Sequence, residues 1–172
     1  MTIGMNNLGK TGGLGEQLFQ YASLVGISKT RGFDFRMPEG TKLSECFEML
    51  HCGNRYGLID GGEVTIDDDS EFCYSLMNEC PNHVTLSGAF QSKNYFDFAD
   101  AKRLLKWDLR FKKEILEKVE SDLEEMELSE KVPEYDDECY KLCLISKRPD
   151  LADDSLLSWW GVWISKNVGA LK

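Results

Sequence analysis

Histidine is nearly missing from this chain. His51 and His83 are the two imidazoles in 172 residues, and they do not stand at helical spacing from each other. That leaves little scope for imidazole catalysis, and no arrangement of Ser, His and Asp suggests a triad. Long apolar runs are missing too, and none approaches the length of a membrane span. Met1 to Asn7 has no basic region and no long apolar stretch, so no secretory signal is expected and the expected compartment is the cytoplasm. Positive charge is in deficit: 20 Lys and Arg face 30 Asp and Glu, for a formal net charge of −10. A phosphate backbone wants a basic face, so nucleic acid is not an expected partner. A local pocket can still differ in sign from the whole and take a small anion. The cysteines at 46, 52, 73, 80, 139 and 143 lack the paired spacing of a structural zinc site, and no metal is expected. Without a secretory signal the thiols are expected to be reduced, and buried as small apolar residues.

What is present is an ordinary globular balance, 42% hydrophobic and 29% charged, in a length suited to one domain or one domain with a small lobe. Thr2 to Met5 reads as a short strand, followed by a polar, glycine-rich turn from Asn6 to Gly15. From Leu18 the residues Leu18, Phe19, Tyr21, Ala22, Leu24 and Val25 gather on one broad side at helical spacing, and Gly32 stops that helix. Strand, glycine turn and helix make the first half of an α/β unit. Residues 33–83 read as an excursion of loops and short strands, with apolar pieces at Phe33 to Met37 and Val64 to Ile66. His83 to Phe90 alternates with period two and predicts a strand. Asn94 to Trp107 predicts a helix with Ala101, Leu104, Leu105 and Trp107 inward, and a second helix runs over 111–128 with Ile115, Leu116, Val119, Leu123 and Met126 on one side. The acidic stretch from Glu114 to Glu138, interrupted by Pro133, reads as a solvated helix face leading into a linker.

Three segments have the composition of a site. Gly12-Gly13-Leu14-Gly15-Glu16-Gln17 precedes a helix, where glycines admit a ligand to the backbone and unsatisfied amides suit a phosphate or carboxylate. It is neither a Walker loop nor a dinucleotide fingerprint, and by itself it reads equally as a tight turn with no ligand. Gly88 to Phe96 follows a predicted strand, which places Gln91 where open α/β sheets receive ligands. Aromatic rings beside an amide suit a sugar; the alternative is that Phe90, Tyr95 and Phe96 are core and Gln91 caps a helix. Ser158-Trp159-Trp160-Gly161 is too rich in tryptophan to leave exposed, so at least two of Trp159, Trp160 and Trp163 are expected inside.

Together these segments resemble the α-1,2-fucosyltransferases of bacteria and their phages. Gly12 to Ala22 is similar to the family's Gly-Gly-Leu-Gly-Asn-Gln-Met/Leu-Phe-Gln-Tyr-Ala, Gly88 to Phe96 to its Gly-Tyr-Phe-Gln-Ser-Glu-Lys-Tyr-Phe, and Ser158 to Trp163 to its Ser-Trp-Trp-Gly-Ala-Trp. The order also agrees, and the likeness is fairly continuous over residues 1–120. The resemblance implies an α/β fold: a Rossmann-like lobe of a GT-B-type glycosyltransferase over residues 1–128, with 129–172 the remnant of a second, nucleotide-sugar lobe. It implies transfer of fucose from GDP-fucose to a galactoside hydroxyl, with inversion and no metal. The partners implied are a nucleotide sugar and a glycan acceptor. Gly13, Gly15 and Gln17 are the implied donor-side residues, Gln91 the acceptor-side residue, and Asp137 and Ser158 the nucleotide candidates. The departures are specific. The His-x-Arg-Arg-Gly-Asp strand end, whose arginine neutralises the leaving diphosphate, has no counterpart, so no catalytic residue is assigned. Glu16 replaces the family's Asn, and Asp154-Ser155-Leu156-Leu157 replaces Asn-Ser-Ser-Phe. The final stretch of about forty residues is too short for an independent Rossmann-like domain. Two other readings therefore stand beside the transferase: a non-catalytic glycan- or nucleotide-binding module, and a truncated family chain prone to self-association.

Overall fold

The computed structural model describes residues 1–66, 72–129 and 136–168. Strand β1 (Thr2–Gly4) passes through the glycine turn into helix α1 (Leu14–Arg31). The helix begins four residues before the apolar periodicity announces it. Leu18, Tyr21, Ala22, Leu24, Val25 and Ile27 are fully buried, because α1 is enclosed by the sheet and by four other helices. Gly32 ends it at φ 64°, and the Phe33 amide returns to the Ser28 carbonyl at 2.9 Å, a left-handed cap that glycine adopts without steric cost.

Three further strands follow: β2 (Asp34–Arg36), β3 (Gly62–Thr65) and β4 (Val84–Ser87). They form one sheet in the order β2-β1-β4-β3, with every pairing parallel. The molecule is therefore α/β, with a four-stranded parallel sheet and seven α-helices among the described residues. The chain leaves β1 toward one edge and later returns to lie on β1's other side as β4, so the β1–β4 boundary is where strand order reverses. Clefts for ligands open at such points, beyond the strands' carboxyl ends. The predicted strand from His83 to Phe90 is cut to four residues by Gly88 at φ 139° and Phe90 at φ 55°. Part of the 33–83 excursion, residues 67–71, lies outside the described residues, as does the predicted linker around Pro133.

Short helices α2 (Lys42–Cys46) and α3 (Tyr74–Glu79) flank α1. The helix predicted over Asn94 to Trp107 is two pieces, a 3₁₀ turn at Lys93–Tyr95 and α4 (Ala99–Asp108). Ala101 and Leu105 are buried as expected, but Trp107 is 39% exposed. Its ring is covered by the Arg110 guanidinium at 3.9 Å instead of core, a cation–π contact that tolerates water at the edge. Helix α5 (Lys113–Ser129) buries Val119 and Met126.

Helices α6 (Glu138–Lys147) and α7 (Leu156–Asn167) pack on each other, and α7 packs on α1 and α4. The three segments singled out in the sequence meet here. Phe19 of α1 lies 5.1 Å from Trp160, Phe96 stacks on Trp160 at 5.4 Å, and Trp163 closes the group at 5.3 Å from Trp160. Trp160 is fully buried and Trp163 is 9% exposed, with Trp159 at the surface at 36%. Reduced thiols throughout are not what the structure holds: Cys46 of α2 and Cys139 of α6 form a disulfide across 93 residues. Local spacing gives no hint of it, since α2 and α6 are brought together by the fold. Cys52, Cys80 and Cys143 are free and buried, and Cys73 is free and half-buried. Among the described residues, no helix is long and apolar enough to cross a membrane, and no group of His, Cys, Asp or Glu is arranged to hold a metal ion.

Candidate functional site

The glycine turn leaves β1 and doubles back at Gly9 and Gly12, both at φ 82°. Gly13 stands at the N-cap of α1 in extended conformation. A glycine has no side chain to satisfy the helix start, and half of a capping box does so in its place: the Glu16 carboxylate accepts the Gly13 amide. A second carboxylate reaches the next amide from 124 residues away, where Glu138 Oε1 accepts from Leu14 N–H at 3.1 Å. Lys42 of α2 forms an ion pair with the same Glu138, and that hydrogen bond raises the lysine above its ordinary range. Two protein carboxylates thus occupy two of the amides that this helix N-terminus offers to an anion.

Gln17 is 2% exposed and stitches the turn from behind. Its Oε1 accepts the Lys42 amide at 3.2 Å, and its Nε2 donates to the Gly12 carbonyl at 3.4 Å. Gly15 is closed by α7: a Cβ there would lie 3.0 Å from Leu156 Cβ and 3.0 Å from the Leu157 nitrogen. Asp137 is the N-cap of α6 and accepts from the Cys139 amide at 2.9 Å and the Tyr140 amide at 3.4 Å.

Gln91 is turned outward by the backbone before it. Phe90 keeps its left-handed conformation because its ring is buried, 5.5 Å from Tyr95. Its carbonyl accepts from Ser23 Oγ at 3.2 Å and from the Ser92 amide at 2.8 Å. Strained backbone of this kind persists only where its surroundings over-determine it. The result is a cleft of about 670 Å³ beyond the carboxyl ends of β1 and β4, in which Gly12, Glu16, Gln20, Gly88 and Gln91 are brought together. Gln20 Nε2 donates to the Gly88 carbonyl at 3.1 Å, while its Oε1 has no partner among the described residues. The lining offers amides, a carboxylate, the Lys10 ammonium and backbone carbonyls.

Ser158 lies elsewhere. It is fully buried in the first turn of α7, where its hydroxyl donates to Asp153 Oδ1 at 2.6 Å and accepts the Asp153 amide at 3.1 Å. Ser155 Oγ also donates to Asp153 Oδ1. Hydrogen bonds from Ser155 and then Ser158 hold the Asp153 carboxyl well below the usual range. Ser158 backs a separate cleft of about 560 Å³ floored by Trp159 and Trp163, so it does not face the glycine turn across open space. Glu138 and Lys42 escape sequence reasoning, because nothing local ties a residue in α6 to a turn near the N-terminus. Gln20 sits inside the first segment and was legible only as part of it. The chain matches no family model, no curated protein and no solved structure.

Proposed function

We propose that this chain is a fucosyltransferase-like protein whose working site is the glycan side: a Rossmann-like lobe of GT-B type that binds a galactoside in the cleft between the glycine turn and Gln91. One observation carries this reading. Gly12, Glu16, Gln20, Gly88 and Gln91 line a single cleft at the point where strand order reverses. A sugar needs closely spaced donors and acceptors for its hydroxyls, and a carboxylate beside two amides supplies both. The same carboxylates disfavour a polyanion. A sugar-diphosphate brought to the start of α1 meets Glu16 and Glu138 already on the amides of Gly13 and Leu14, and like charges at that distance repel strongly.

The second reading is full transfer of fucose from GDP-fucose to a galactoside hydroxyl in α-1,2 linkage. It is favoured by the meeting of the three family-like segments in one aromatic cluster, and it requires Glu138 to leave the glycine turn. Calorimetric titration with lactose and with GDP-fucose, beside a transfer assay with both, separates the two. Lactose binding without GDP-fucose binding supports the glycan site, and Gln91→Ala then weakens it by roughly tenfold, as loss of a ligand hydrogen bond in a cleft does. Turnover establishes the transferase. Binding of neither sugar ends both readings.

A further inference from the structure

Beyond the edge strand β2 lies a cleft of about 450 Å³ that the glycan reading does not use. Its shape begins in the backbone. Met49 adopts φ 47°, and the chain folds back so that the Cys52 amide donates to the Met49 carbonyl at 2.9 Å and Arg55 N–H to the Cys52 carbonyl at 2.8 Å. The returning segment then lies along the end of β2, with Met37 bridged to Tyr56 in parallel. Met37 N–H donates to the Arg55 carbonyl at 3.0 Å, and Gly57 N–H to the Met37 carbonyl at 2.9 Å. This register makes Arg36 and Arg55 neighbours, and both line the cleft.

Each guanidinium is held in place. Arg36 Nη1 donates to the Asn54 carbonyl at 2.8 Å, and Arg55 lies over the Phe35 ring at 4.3 Å. Among the described residues, no carboxylate stands within ion-pair distance of either. Two neighbouring cations without an ion-pair partner, against the single carboxylate of Asp34 in the lining, leave a local excess of positive charge in a chain of net charge −10, and like charges side by side destabilise a strand pair unless an anion joins them.

His51 completes the lining, and its posture is set from behind. Its backbone amide and its ring Nδ1 both meet Asp108 Oδ1, at 2.7 and 3.0 Å. Asp108 is fully buried, and its other oxygen accepts from the Tyr21 hydroxyl at 2.7 Å. With Nδ1 engaged by Asp108, Nε2 is left without a partner among the described residues. The ring is 43% exposed, so packing does not account for a buried carboxylate spent on orienting it.

The geometry points to a binding site for a small tetrahedral oxyanion, the phosphate or sulfate of a monoester, gripped by Arg36 and Arg55 and hydrogen-bonded by His51. Guanidinium forks match the oxygens of such a group two at a time. Asp34, which also lines the cleft, opposes a polyanion, so a single esterified group fits and a nucleic acid does not. This inference is independent of the glycan reading.

The test is titration of the full chain with inorganic phosphate and, separately, sodium sulfate at low ionic strength, followed by NMR of the His51 ring and the arginine side chains. Binding of either anion moves the His51 and Arg55 resonances in a saturable way. Arg36→Gln and Arg55→Gln each weaken it by roughly tenfold, the scale of a charge-assisted hydrogen bond. Near-ultraviolet circular dichroism checks that both variants keep their fold. Saturation of other resonances with His51 and Arg55 unmoved in the parent protein overturns the site, as does an unweakened affinity in both variants. The measurement on the parent keeps the test decisive even where a variant fails to fold.

Discussion

At Gly26, in the middle of α1, a Cβ would lie 1.8 Å from the backbone carbonyl oxygen of Tyr95. Backbone cannot rotate away as a side chain does, so helix and 3₁₀ turn would have to separate. Gly26→Ala should cost about 3 kcal/mol, the upper part of the usual range for overpacking a core, read as a lower urea midpoint. The four free thiols make a second residue-scale prediction. Burial pushes the Cys143 thiol up to about 12 and the Cys52 thiol up to about 11, and it raises Cys80 as well. Thiolate is the nucleophile, so under native, non-reducing conditions iodoacetamide should modify Cys73, which is half-buried, well before the other three. Mass spectrometry of peptides from a brief exposure checks the order.

At the scale of elements, the disulfide is the connection with most reach. It fastens α2 to the start of α6 beside two residues of the glycine turn's support: Glu138, next to Cys139, is set on the Leu14 amide, and Lys42, one helical turn before Cys46, on Glu138. Closing a loop of 93 residues is worth about 4–5 kcal/mol in the chain-entropy account. Dithiothreitol should therefore lower the urea midpoint of the parent and leave that of a Cys46→Ser, Cys139→Ser variant unchanged. Hydrogen exchange at Leu14 should quicken in both reduced forms. Elements also show what a sequence can and cannot disclose. Helix α1 was legible because Gly32 needs a left-handed φ and because Leu18, Tyr21 and Val25 repeat with the helix; β4 was legible because Val84 to Ser87 alternates. The break before α4 was not, since Phe96 turns inward to meet Trp160 and tertiary packing overrides the local periodicity. Trp107 departs from the helical periodicity for a related reason: an arginine three residues on covers its ring, and periodicity does not register such partners. The pairing of Cys46 with Cys139, the reach of Glu138 and the Asp108–His51 hydrogen bonds all join residues more than fifty positions apart. Nothing in the chain's local pattern records them.

At the scale of the molecule, the last two helices are structural partners of the first. Trp160 is buried against Phe19 and Phe96, and α6 lies against both α5 and α7. A chain ending before residue 136 would lose the three indoles of α7 and leave those phenylalanines bare. We expect such a truncation to self-associate on gel filtration and to lose cooperative unfolding in calorimetry, as exposed apolar patches of this size do.

The same cluster gives the protein an optical signature. Trp160 lies 5.1 Å from Trp159 and 5.3 Å from Trp163, at steep mutual angles of 82° and 64°. Chromophores this close and this skewed share their excitations, so the folded chain should show a bisignate ellipticity band of indole origin. All three indoles belong to α7, so that band would report on the order of this one helix, and it should fade when α7 melts even if the parallel sheet survives.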